Sequence, residues 1–263
     1  TQHRTEESFG RGALSPDGQW MATTDKGGFV SFWDLRRFWT VGEHKLIARY
    51  SAHRDRGRAI AYSPNGRLVA SGSDNIIVWD AQTQAKLARF PYRDLVTDLA
   101  FSTDSRQLIS AHGDGAILVW NIAEKEATAN FASHSGVVRT VVFSSDGKTV
   151  ASASEDRSII LWDANSGIKR GVLSGQGVPI AGAAISADGK FVISSDIQGQ
   201  VTLWDAVTHR LVRNFSPPHK TDASLNYSIA ISPDQKWVAT TFGLYAVEHG
   251  QLVVDFLPLR GDQ

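Results

Sequence analysis

The sequence predicts an all-β fold, a β-propeller of six four-stranded antiparallel blades around a central channel, and three regularities carry that prediction. Tryptophans at 33, 79, 120, 162 and 204 recur at intervals of 46, 41, 42 and 42 residues, each followed by Asp34, Asp80, Asn121, Asp163 or Asp205. A Ser-x-Asp-Gly-like turn stands 16 to 18 residues before each of them. An apolar residue follows 11 positions after the second to fifth, at Phe90, Phe131, Leu173 and Phe215. The stretches between these markers are short and β-rich, and helical periodicity is nowhere sustained. A beat of roughly 40 to 45 residues is the length of one four-stranded sheet that hides its apolar faces against its neighbours around an axis.

The repeats run in order along a single expected domain, 1–263. Blade one, 9–50, joins strands through Ser15-Pro16-Asp17-Gly18. Serine first, proline second and glycine last is a type I turn preference, because proline presets φ and Ser or Asp bonds the local backbone. This blade reaches Tyr50 only 17 residues after Trp33, so it carries a six-residue insertion within Leu35–His44. Blade two, 51–90, has Ser63-Pro64-Asn65-Gly66 and Trp79 but is two residues short after its second strand. Blade three, 91–131, has Ser102-Thr103-Asp104-Ser105 and Trp120. Blade four, 132–173, has strands at Val138 to Phe143, Thr149 to Ser152 and Ser158 to Trp162, with Ser144-Ser145-Asp146-Gly147 between the first two. Blade five, 174–215, has Ser186-Ala187-Asp188-Gly189 and Trp204. Blade six, 216–256, has Ser232-Pro233-Asp234-Gln235, with Tyr245 in the tryptophan position and Phe256 after it. It gains four residues within Ser216–Lys220 and loses five after its second strand.

With histidine, turn, Trp-Asp pair and period together, the chain resembles the WD-repeat β-propeller family across essentially its whole length. In that family a histidine before the innermost strand, a serine or threonine on the second, an aspartate in the next turn and the tryptophan form one hydrogen-bonded chain. His134, Ser152, Asp156 and Trp162 match all four positions. Repeat two offers His53, Ser71 and Trp79, with the register of Asp74 unsettled by the deletion. Repeat three keeps Ser110, Asp114 and Trp120, with Tyr92 where histidine is expected. Repeats one and five place Gly27 and Gln198 at the aspartate position, so their chains are expected to be incomplete. Each such bond contributes about 0.5–1.5 kcal/mol, which makes blade four the stiffest expected. The family usually has seven blades and pairs one terminal strand into the blade at the other end. Here every repeat owns its four strands, so either six blades close by side packing or the ring is larger than this chain.

Composition narrows the function. Lys plus Arg number 27 and Asp plus Glu 27, so no whole-protein field draws in nucleic acid or an anionic membrane. Hydrophobic residues are 42% and charged residues 21%, the balance of a globular protein. Cysteine is absent, which removes disulfides, thiolate metal sites and a cysteine nucleophile. No run of about 18 apolar residues marks a membrane span, and the first residues lack a signal peptide's apolar stretch. The chain opens on Thr1 and closes on Leu259-Arg260-Gly261-Asp262-Gln263, and is expected to be cut from something longer.

Serine, histidine and aspartate recur in every repeat, but a nucleophile needs an exposed hydroxyl, a base within reach and an oxyanion hole. The regular spacing points instead to structural use, and glycine-rich phosphate loops, His-Glu-x-x-His and nucleophile elbows are all missing. The eight histidines lack ligand spacing; His112 beside Asp114 reads as a solvated turn pair, so no metal and no cofactor is expected. The reading is a non-catalytic scaffold for protein or peptide, cytoplasmic, without membrane or nucleic-acid partners. It is expected to be a module of a larger signalling protein of bacterial type, with other domains of that chain as partners. A hydrolase with its site in the channel mouth and a nucleic-acid reader are the alternatives. The resemblance puts the loops entering the innermost strands on one face, where Arg56, Arg58, Arg93, Arg139 and Tyr227 are candidates for holding an acidic or phosphorylated peptide. The blade-one insertion, with Arg36, Arg37, Phe38 and Trp39, is a second candidate surface on the opposite face.

Overall fold

A computed structural model of the chain describes residues 9–131, 134–215, 228–232, 234–241 and 243–256. They fall into two compact units, Thr1–Ala132 and Ser133–Gln263, and each contains three four-stranded antiparallel sheets in simple sequence order. In the first unit, β1 to β4 are Phe9–Leu14, Trp20–Asp25, Phe29–Asp34 and Lys45–Ser51, with a one-turn helix α1, Phe38–Val41, before the last. Strands β5 to β8 are Ala59–Tyr62, Leu68–Gly72, Asn75–Asp80 and Lys86–Pro91. Strands β9 to β12 are Val96–Phe101, Gln107–His112, Ile117–Asn121 and Glu126–Asn130. In the second unit, β13 to β16 are Val138–Phe143, Thr149–Ser154, Ser158–Asp163 and Lys169–Ser174. Strands β17 to β20 are Ile180–Ile185, Phe191–Asp196, Val201–Asp205 and Arg210–Phe215, and β21 to β24 are Ile229–Ile231, Trp237–Thr240, Gly243–Ala246 and Leu252–Asp255. The all-β architecture of six four-stranded blades is the one the sequence predicts.

The third strand of the first five sheets is buried on both faces, which explains its apolar runs, while Gly243–Ala246 of the sixth alternates buried and partly exposed residues. In β7, Ile76 and Val78 pack toward blade three with Phe90, Val96, Leu99, Leu108 and Trp120. Ile77 and Trp79 of the same strand pack toward blade one with Val30, Phe32 and Val69. The second unit repeats this: Ile159, Leu161 and Leu173 meet Ile180, Val192 and Trp204, while Val201, Leu203 and Phe215 meet Val238 and Tyr245. Burying a side chain of this size contributes about 1.5–3 kcal/mol, and one sheet alone has no second layer to supply it.

Six copies of one turn join first to second strands. The serine hydroxyl donates to Asp17, Asn65, Asp104, Asp146, Asp188 or Asp234 at 2.5–2.8 Å. It accepts the amide five residues on, from Trp20, Leu68, Gln107, Thr149, Phe191 or Trp237. The fourth turn residue is left-handed: Gly18, Gly66, Gly147 and Gly189, but also Ser105 at φ 61° and Gln235 at φ 60°. The fourth strand carries a β-bulge opposite Trp33, Trp79, Trp120, Trp162, Trp204 and Tyr245, with Ile47, Leu87, Thr128, Arg170, Val212 and Val253 as the extra residues, and a bulge bends its strand and increases the local twist.

Blade one is locked to blade two where Gly28, at φ +75°, accepts the amides of Ala52 and His53 on its carbonyl. A Cβ there stands 2.4 Å from the His53 carbonyl oxygen and 2.6 Å from that of Asp55, both backbone. Gly28→Ala is therefore expected to cost about 1–3 kcal/mol, from forced packing and a left-handed backbone, read as a lower urea midpoint. Gly42→Ala, with nothing within 4 Å of its Cβ position, meets only the backbone strain.

Candidate functional site

Five buried polar chains begin at the tryptophans. Each indole N–H donates to a hydroxyl on the second strand of its own blade: Trp33 to Thr23, Trp79 to Ser71, Trp120 to Ser110, Trp162 to Ser152 and Trp204 to Ser194, at 2.8–3.0 Å. In blade four, Ser152 Oγ lies 2.8 Å from His134 Nε2, and His134 Nδ1 lies 2.8 Å from Asp156. An indole only donates, so Ser152 Oγ accepts from Trp162 and gives its own proton to Nε2. Nδ1 is then the protonated nitrogen and donates to Asp156. Burial holds His134 below its ordinary pKa. Burial also works to raise that of Asp156, but hydrogen bonds from Ser158, His134 and the Ser135 amide outweigh it and hold this carboxyl low.

The other blades complete the same task differently. In blade two Ser71 lies 2.9 Å from His53 Nε2, while Asp74 reaches His53 Nδ1 only at 3.5 Å. In blade three the expected solvated turn histidine is corrected: His112 ends β10 with no exposed surface. Its Nε2 stands 2.8 Å from Ser110 Oγ, two residues away, so the imidazole reaches the hydroxyl from the same strand. Tyr92, at the loop position, stacks on it with ring centroids 3.8 Å apart and donates its hydroxyl to Asp114 at 2.9 Å. Blade five is a second correction, since its chain is not cut short at Gln198. Ser194 donates to Gln176 Oε1 at 3.0 Å, and Gln176 Nε2 donates to Thr202, which bonds Asn214. An amide that accepts at one end and donates at the other needs no aspartate behind it. Position-by-position matching missed both; the signal was a polar residue within reach of the hydroxyl, on the same strand in blade three and ahead of the first strand in blade five.

The candidate binding residues divide between the units. In the first, Arg56 and Arg93 are exposed on the loops entering β5 and β9, and Arg58 is half-buried just before β5. In the second, Arg139 on β13 is paired with Glu155, through Nε at 2.8 Å and also through Nη2. Tyr227 lies outside the described residues. The blade-one insertion forms α1 against its own sheet. Trp39 remains 64% exposed, yet its indole donates to the Gly18 carbonyl at 2.9 Å, and Phe38 meets it edge-on. Arg36 pairs with Asp34 at 2.5 Å and holds that carboxyl down at about 2, and Arg37 pairs with Glu43 at 3.1 Å. Behind the two aromatics is an apolar pocket of about 440 Å³ lined by Leu14, Met21, Trp33, Leu35 and His44 among others. Among the described residues no group of three or more His, Asp or Glu side chains gathers as a metal cluster would, and no helix is long and apolar enough to cross a membrane.

The family described as WD domain, G-beta repeat matches residues 12–34, 44–80, 87–121, 125–163 and 167–205. Among curated relatives, the periodic tryptophan protein 2 homolog of Neurospora crassa is 30% identical over 125 residues, 46% of this chain and 13% of that protein. Protein HIR1 of Chaetomium globosum is 27% identical over 153 residues, 48% of this chain and 14% of its own. Rat apoptotic protease-activating factor 1 is 28% identical over 127 residues, 48% of this chain and 10% of its own. The chain thus spans a small fraction of the length of these relatives.

Two predictions arise from the chains. Gln176→Ala is expected to destabilise blade five by about 1–3 kcal/mol, as His134→Ala does blade four, because each leaves a buried hydroxyl short of a partner. Amide exchange slowed in blades four and five relative to blade one checks the ranking. His112 is held by burial at about 4, below its ordinary 6.5. The folded state therefore prefers it neutral, and stability present above pH 6.5 is lost as pH falls toward 4. Wild type is expected to lose on the order of 3 kcal/mol more than His112→Gln across that window, by urea titration at each pH.

Proposed function

The chain belongs to the WD-repeat family, and from that membership we propose that it is a non-catalytic module whose loops hold a protein or peptide. The observation that carries this reading is the use already made of its catalytic-looking side chains. Ser71, Ser110, Ser152 and Ser194 lie buried with their hydroxyls committed to an indole on one side and to an imidazole or amide on the other. A hydroxyl so placed is out of reach of a substrate carbonyl, and the imidazole of His134, whose side chain is likewise sealed from solvent, turns no nitrogen toward a substrate. What varies from blade to blade, and what solvent reaches, is the set of loops entering the first strands. Rigid scaffolds with variable loops are where recognition resides. Arginine on such loops suits an acidic partner.

The reading extends to a cytoplasmic module of a longer, bacterial-type signalling protein, with neighbouring domains among its partners. The names of the relatives support a regulatory setting and no more. The test is a panel of fluorescein-labelled peptides and a panel of ester and peptide substrates offered to the full chain. Saturable peptide binding without turnover is expected, weakened at least several-fold by combined Arg56→Glu and Arg93→Glu. Turnover abolished by Ser152→Ala overturns the reading, and RNA binding that falls steeply with salt replaces it with the nucleic-acid alternative.

A further inference from the structure

Blades two and four have the same register at the entrance of the first strand. Ala59 pairs with Gly72 as Thr140 pairs with Ala153, so Arg58 and Arg139 occupy one structural position. At the far side of the second strand the serines also correspond. Ser73 Oγ donates to the Arg56 carbonyl at 2.8 Å, and Ser154 Oγ to the Gly136 carbonyl at 3.1 Å. After these serines blade four has Glu155, Asp156 and Arg157 before Ser158, whereas blade two has only Asp74 before Asn75. Asp74 takes the histidine-facing place of Asp156, at the longer distance of 3.5 Å. The two residues removed are therefore the counterparts of Arg157 and of Glu155, which neutralises Arg139.

Arg58 shows the consequence. Its Nε is buried without a hydrogen-bond partner, and no ion pair involves it among the described residues. Of the six buried side-chain atoms left unpartnered among the described residues, His53 Nδ1, Arg58 Nε, Asp74 Oδ1 and both polar atoms of Asn75 belong to blade two. Arg58 is half-buried with its Nε out of solvent, so an incoming carboxylate meets the outer end of the guanidinium, much of whose desolvation has already been met in the folded chain. We infer that Arg58 is the receptor for a glutamate or aspartate side chain of a partner protein, which fills the place that Glu155 fills beside Arg139. A carboxylate is favoured over a phosphate because the internal group at the equivalent site is a carboxylate. The inference rests on the peptide-binding reading and names the chemistry of its ligand.

The test uses the whole chain and labelled 12-residue peptides of four kinds: glutamate-rich, phosphoserine-rich, neutral and lysine-rich. Fluorescence anisotropy is expected to show binding of the glutamate-rich peptide, weakened tenfold or more by Arg58→Gln and by Arg58→Lys, which keeps the charge but not the fork. Arg67→Gln, in the turn at the other end of the same blade, is expected to bind within twofold of wild type. Inserting a glutamate between Ser73 and Asp74 is expected to abolish binding by filling the slot from within. Arg58→Gln is expected to melt no lower than wild type, since it removes a buried N–H that has no partner. If that variant fails to fold, Arg58→Lys and the insertion decide. Undiminished binding by Arg58→Gln, preference for phosphoserine, or binding of neutral or lysine-rich peptides alone each overturns the inference while leaving the module reading intact. Binding of none of the four overturns both.

Discussion

A buried indole N–H left without an acceptor costs about 1–3 kcal/mol, and this chain places a tryptophan on the third strand, opposite a bulge in the fourth, in five of its six sheets. Each is met by a hydroxyl from the adjacent second strand. That bond joins the two central strands through side chains as well as backbone. It also sets the depth at which the large ring sits against the next blade. Trp79 and Trp204 are fully buried by it and by the neighbouring sheet, so the packing between blades follows from the bond within one.

Once the hydroxyl accepts from the indole it must pass on its own proton, and here the blades diverge. His134 receives it in blade four from a loop, His112 in blade three from the end of the same strand, and Gln176 in blade five from ahead of the first strand. The physical requirement is an acceptor within about 3 Å of one oxygen, and several backbone positions can supply it. The demand is invariant while the residue that meets it is not.

The interior imposes this regularity on every blade, so the differences between blades collect at the strand ends. Arg139 carries its own counter-ion and Arg58 does not, through a loop difference of two residues. In blade one the extra residues became α1, whose Trp39 is held to the Ser15–Gly18 turn by a single hydrogen bond while most of its ring faces water. Both features alter the surface without disturbing a strand register.

The sequence alone determined the β class, the six repeats, the turns and the blade-four tetrad candidates, because each depends on local spacing: a period of two along strands, a four-residue turn, a tryptophan every forty-odd residues. It was equally sufficient for placing the insertion and the deletion. It could not show that His112 is buried beneath Tyr92, that Gln176 replaces a histidine, or that Arg58 stands without the carboxylate its counterpart has. Those facts depend on which side chains from different strands reach the same point, and that distance is decided by strand pairing and by packing against the next sheet. A pattern along the chain records neither.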